Sequence, residues 1–187
     1  KSTMSRKIDA SRWKETTPDV LNAWFDAYQD TCSKHEFELH NIYNMDETGF
    51  GIGTSQSSRV IVDTTLRTRY KMEPGRQEWV SIVEYVCADG TFLPPMIIFQ
   101  AQSVSSTWVT KSTPLDWQFS ASSKGWTSNI HGLEWLRRVF EPATRARANG
   151  QPRLLVCDEH DSHISGNFIA HCMNYNIVLL IMPPHSS

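Results

Sequence analysis

Leu21, Trp24, Phe25 and Tyr28 recur at i, i+3, i+4 and i+7, the spacing of an amphipathic helix. Thr17 can cap it, Pro18 suits its first turn and Asp19 lies where the helix dipole favours an acid. These signals predict an N-terminal helical arm within residues 1–40 that packs on the rest of the chain. From Asn41 the pattern becomes that of a sheet. Asn41 to Asp46 predicts a short strand ending in acids, and Gly49, Gly51 and Gly53 predict a loop after it. Trp79 to Cys87 is β-rich, Asp89-Gly90 is a turn signal, and Phe92 to Phe99 returns as a second strand. Pro94 and Pro95 place that return at an edge or interrupt it.

Residues 101–127 have no clear period and read as a long connection with short elements. A helix is predicted over 128–140, with Leu133, Leu136 and Phe140 on one face and Pro142 closing it, then a polar loop over 143–152. Leu154 to Cys157 is apolar on both faces, as in a central parallel strand. Ser165 can cap the next helix, Ile164 and Ile169 suit a staple across that cap, and Phe168, Ile169, Cys172 and Met173 form the expected buried face. Ile177 to Met182 reads as a buried strand ended by Pro183-Pro184. The order is strand, hairpin strands, helix, strand, helix, strand: a mixed α/β chain, antiparallel early and alternating with helices later.

Composition narrows the classes. A length of 187 residues suits one domain, or one with a short arm. Hydrophobic residues at 40% and aromatic residues at 11% argue against disorder. The longest apolar run, Ile177 to Met182, falls far short of the ~20 residues of a membrane helix, so no membrane is expected. Lys1 to Glu15 has no apolar stretch of a secretory signal, and the sequence does not begin with Met; a piece of a longer protein is expected. A net charge of −2 means that any nucleic-acid contact is local or shared with other parts of the protein. Cys32, Cys87, Cys157 and Cys172 form no CxxC pair, which favours a reduced compartment and leaves bridging open.

Two acids stand out by position. Asp46 closes the first predicted strand and Asp158 the most apolar one, and ligands of α/β sheets collect outside carboxyl strand ends. Alternation puts Asp158 on a face with Leu154 and Val156, and Cys157 on the other with Leu155. Neighbouring carboxylates repel unless a cation joins them, and hard oxygens select Mg²⁺ or Mn²⁺; a two-metal site then serves phosphodiester chemistry. Loop-start and turn-capping roles fit the same two residues. Glu47 reads as an outer ligand or a solvated neighbour on the opposite face. His160 and His163 suit phosphate contact, orientation of Asp158, or ordering of the turn. Zinc on Cys157, His160, His163 and Cys172 competes, although both cysteines fall on apolar faces.

Two segments are locally basic. Arg59, Arg67, Arg69, Lys71 and Arg76 face only Asp63 and Glu73 within 59–76; Arg137, Arg138, Arg145, Arg147 and Arg153 face only Glu141 within 137–153. Both suit DNA phosphates and both suit an ordinary solvated surface. Trp108, Trp117 and Trp126 can stack on exposed bases or pack under the long connection.

Asn44-Met45-Asp46-Glu47-Thr48-Gly49-Phe50 resembles the first acidic motif of the DDE-superfamily transposases, in the fungal-type pogo branch of the mariner group. Leu154 to His163 resembles the second, with Cys87-Ala88-Asp89-Gly90, Pro94-Pro95, Lys124-Gly125-Trp126, Glu134-Trp135-Leu136 and Leu180 to Ser187 as landmarks in matching order. The resemblance implies a ribonuclease H-like mixed sheet with flanking helices over 41–187, C-terminally incomplete. It implies that Asp46 and Asp158 are the first two acids of a triad holding Mg²⁺ or Mn²⁺. The implied chemistry is hydrolysis of DNA at transposon ends and joining of the 3′-OH to target DNA. A nuclear location and a homodimer fit the same reading.

Departures are Glu159 where many relatives have Gly, and Gln100-Ala101 where a Lys-Gly pair is common. The third acid follows Pro-Pro-His-Ser-Ser by several residues and is not in this sequence, so little strand transfer is expected from the chain as given. A domesticated or relic fragment that only binds DNA or protein is the alternative.

Overall fold

The computed structural model describes residues 17–52, 78–159 and 165–184. Helix α1 spans Pro18–His35, with Thr17 Oγ1 accepting from the Val20 N–H at 3.3 Å and Glu36 ending it in the left-handed region at φ 50°. The expected stripe is only half-buried at Leu21, Trp24 and Tyr28, and Phe25 is exposed. Trp24 Nε1 donates to the Ile181 carbonyl at 2.7 Å. That bond ties α1 to the sheet, and the arm lies on the protein rather than within its core.

Six strands form one sheet in the order β4-β3-β2-β1-β5-β6. They are β1 (Ile42–Ile52), β2 (Glu78–Cys87), β3 (Met96–Gln100), β4 (Gln118–Ser122), β5 (Arg153–Cys157) and β6 (Ile177–Ile181). β1, β2 and β3 run antiparallel in turn, while β3–β4, β1–β5 and β5–β6 are parallel. Alternation sorts the faces. Tyr43, Met45, Val83, Tyr85, Leu155 and Cys157 belong to one buried core with Trp135, Phe140 and Phe168. Asn44, Asp46, Thr48 and Phe50 are exposed on the opposite face of β1.

Helix α2 (Asn129–Trp135) passes through a π turn, Leu136–Phe140, into α3 (Glu141–Ala148), and α4 spans Gly166–Asn174. Several expectations change here. β1 does not stop at Asp46 but runs on through Gly49 and Gly51, because Gly49 is a floor for the ring of Trp79. The return strand begins after Pro95; Phe92 makes only an isolated bridge to Val86. β3 is not an edge, since β4, within the stretch read as a connection, pairs alongside it.

Pro142 does not close the helix. The π turn sends the Glu141 N–H to the Leu136 carbonyl, and Pro142 enters near the start of α3, where its missing N–H is tolerated. The helix therefore replaces the polar loop up to Ala148, and the π turn leaves Leu136, Val139 and Phe140 all buried. On α4, Ser165 Oγ accepts from the Phe168 N–H at 3.4 Å, as its sequence predicts. Its buried face is Phe168, His171 and Cys172, with Ile169 and Met173 exposed. Ile164, the other half of the staple, lies outside the described residues.

Candidate metal centre

The pairing of β1 with β5 sets the site. Ile42, Tyr43 and Asn44 stand opposite Leu154, Leu155 and Val156 in parallel register. Continued by two residues, that register brings Asp46 level with Asp158, the first residue past β5. Adjacent strands lie about 4.8 Å apart, and residues opposite one another share a face. Asp46 is exposed and Asp158 half-buried. Asn44 Nδ2 donates to the Val156 carbonyl at 3.4 Å, a cross-strand link immediately before the two acids. Asp46 Oδ1 accepts the Glu47 N–H at 2.8 Å, which fixes one carboxylate oxygen. The strand-end expectation is thus corrected for Asp46: the acid sits in mid-strand, and it is the pairing with β5 that ends beside it.

A third acid joins the row. Glu84 of β2 is directly opposite Asp46 in the antiparallel register, and both are exposed. Like charges at such a pair destabilise a sheet, so Glu84, Asp46 and Asp158 form a strip of negative charge across three strands. Alternation along Trp79 to Cys87 marks Glu84 as polar-facing; only the register shows what it faces.

Glu47 takes no part in that strip. It faces the other side of β1, half-buried, and its carboxylate accepts both the Thr127 N–H, at 3.4 Å, and the Thr127 hydroxyl. It anchors the segment leading into α2.

His160, His163, Arg59, Arg67, Arg69, Lys71 and Arg76 lie outside the described residues. The second basic segment is largely paired within the fold. Arg138 binds Glu134 and the Gln118 Oε1. Arg145 Nε donates to Glu141 Oε1 at 2.5 Å. Arg147 binds Asp89 and the Thr91 hydroxyl. Bonds from the Thr91 hydroxyl and N–H, with Arg147 beside them, hold the Asp89 carboxyl well below the usual carboxylate range. Arg153 is not on the surface: it is 3% exposed and donates to Thr144 Oγ1 and the Tyr175 carbonyl. Arg137 is exposed and lines a cleft of about 690 Å³ between α2 and the start of α4, with Asn129, Ser165 and Asn167.

Cys157 and Cys172 are buried in the core. Burial pushes the Cys172 thiol up to about 12 and the Cys157 thiol higher still, away from the thiolate that zinc requires. Among the described residues no three of His, Cys, Asp and Glu form a cluster able to hold a metal. The donors present are two hard carboxylates, Asp46 on β1 and Asp158 directly after the neighbouring β5. They fit Mg²⁺ or Mn²⁺, since Mg²⁺ is commonly held by one or two carboxylates, several waters and substrate phosphate.

Among the described residues no helix is long and apolar enough to cross a membrane. The chain is 35% identical over 156 residues to an MFS-type transporter, clz9, of Cochliobolus lunatus, covering 83% of this chain but only 17% of that protein. Among solved structures it resembles the mariner Mos1 paired-end complex with Mg, at TM-score 0.58 and 13% identity over 99% of this chain and 48% of that one. The paired-end complex with Mn gives TM-score 0.57 at 12% identity, over the same shares. The chain thus spans about half the length of the transposase chains, and the likeness establishes a ribonuclease H-like fold. The family model of the DDE superfamily endonucleases matches residues 76–187, from the segment before β2 to the end, with Asp158 inside the match. With that match over more than half of its length, the chain belongs to the DDE superfamily endonuclease family.

Proposed function

We propose that the chain is the catalytic core of a DNA transposase of the pogo branch of the mariner group. Residues 1–40 are its helical arm, and residues 41–187 are its ribonuclease H-like core. Asp46 and Asp158 are the first two acids of the metal site. The observation that supports this reading is the β1–β5 register, with Asn44 opposite Val156, since alternation carried two residues further puts Asp46 and Asp158 on the same face. DNA at transposon ends and target DNA are the partners, a homodimer is the working assembly, and the nucleus is the compartment.

When bound, Mg²⁺ or Mn²⁺ supplies Lewis acidity and an activated water or hydroxyl for attack on a phosphodiester. The chain supplies the position. Asn44 links β1 to β5 just before the acids, and the Glu47 N–H orients one oxygen of Asp46. Glu84 strengthens the negative field that draws a cation to this face. Calorimetric titration with Mn²⁺ tests the assignment on the chain and on its Asp46→Asn and Asp158→Asn variants. Binding to the parent chain, abolished by either substitution, is expected. Binding indifferent to both would remove the two acids from the site.

A further inference from the structure

Beyond Asp46, the sheet carries a fixed aromatic group that metal binding does not use. Trp126 is 51% exposed, and its ring lies on that of Trp79 with centroids 4.4 Å apart. Trp79 lies across β1 over Gly49, where a Cβ would stand 2.4 Å from Trp79 Cζ2. The Trp79 N–H donates to Gln100 Oε1 at 3.1 Å. Gly125, at φ +75°, brings the backbone before Trp126 against the Trp79 carbonyl, where a Cβ would meet the oxygen at 2.8 Å. After Trp126, Thr127 is tied to Glu47.

This arrangement carries costs. Tryptophan rings normally gain most by burial, yet half of this one faces solvent. The Trp79 indole N–H is buried without an acceptor, which is uncommon in folded proteins. The left-handed backbone at residue 125 admits glycine with little strain. What results is a flat ring immobilised before any ligand arrives, so that little side-chain entropy is lost on binding. Lys124, exposed, stands two residues before it. An exposed aromatic ring with a lysine two residues before it, near the end of β1 and on the face opposite Asp46, matches the chemistry of an unpaired nucleotide: base on ring, phosphate on ammonium.

We propose that Trp126 is a stacking platform for an unpaired nucleobase, with Lys124 taking the phosphate, so that part of the bound DNA is held single-stranded across the face of β1 opposite Asp46. This rests on DNA being the partner. The test measures the binding of the full chain to a single-stranded oligonucleotide carrying 2-aminopurine and to a duplex of the same length. Trp126→Ala should weaken single-strand binding roughly 5- to 150-fold and abolish quenching of 2-aminopurine, with duplex affinity unchanged. Trp126→Phe should keep most of both signals and shows that the site tolerates substitution at this position. An alanine variant that binds and quenches like the parent overturns the proposal, as does a phenylalanine variant no better than alanine. If the parent chain binds neither DNA, the DNA reading fails and the platform with it; if duplex binding persists while Trp126→Ala changes nothing, only the platform fails.

Discussion

A methyl group on Gly49 would stand 2.4 Å from Cζ2 of Trp79, well inside van der Waals contact. The nearest atoms belong to a ring stacked on Trp126, in a residue whose carbonyl and Cβ abut the Gly125 turn, so it has little room to give way. Gly49→Ala should therefore cost about 1–3 kcal/mol of stability, the range for overpacking, read as a lowered urea midpoint. Trp79→Leu in the same chain should recover part of that loss. An unchanged midpoint in Gly49→Ala would mean that Trp79 does not lie on β1.

The same residue shows where local reading stops. Gly49, Gly51 and Gly53 look like loop punctuation because glycine weakens a strand by itself. Gly49 is in a strand because an indole from β2 covers the place a side chain would fill, and no local signal states that. Asp158 stands out for the opposite reason, since it directly follows Leu154 to Cys157, a run apolar on both faces, whereas the strand end expected at Asp46 is one that β1 runs past.

At the scale of elements, the buried pair Arg153–Glu141 joins α3, β5 and the end of α4. Arg153 reaches Thr144 Oγ1 at 2.8 Å, the Tyr175 carbonyl at 2.5 Å and Glu141 Oε1 at 3.9 Å. From sequence, Arg153 belonged to a basic segment facing solvent. Its burial follows from α3 extending past Pro142, which brings Glu141 and Thr144 over the start of β5. The proline pointed to a helix end; the π turn that accommodates it depends on three core side chains, Leu136, Val139 and Phe140, which no local rule weighs. β4 escaped notice for a related reason, since its residues Gln118–Ser122 have little apolar content and are held by pairing with β3. Arg153→Met should cost about 3–5 kcal/mol, as expected when one member of a buried ion pair is removed. The value belongs near the lower end because Arg145 still holds Glu141. The double variant Glu141→Leu, Arg153→Met should regain most of it in the same urea unfolding assay. A single-variant loss under about 1 kcal/mol would show that the pair is incidental to the fold.

Across the whole molecule, the sheet gathers Glu84, Asp46 and Asp158 into one strip from three separate parts of the chain. A protein selected only for stability has no reason to place like charges on adjacent strands, where a like-charged cross-strand pair is destabilising by roughly 0.2–1 kcal/mol. A protein that binds a divalent cation there gains back more than the repulsion takes, because a ligand of the native state adds stability as its concentration exceeds its dissociation constant. These two effects have opposite signs in one variant. Without metal, Asp46→Asn should be more stable than the parent by roughly 0.2–1 kcal/mol, since it relieves the contact with Glu84 and keeps an oxygen for the Glu47 N–H. With millimolar Mn²⁺ the parent chain's melting temperature should rise and that of Asp46→Asn should not, so that the order of stability narrows or reverses. If Asp46→Asn instead destabilises the metal-free chain, Asp46 is held by the fold for structural reasons, and the charge strip is not a site kept at the expense of stability.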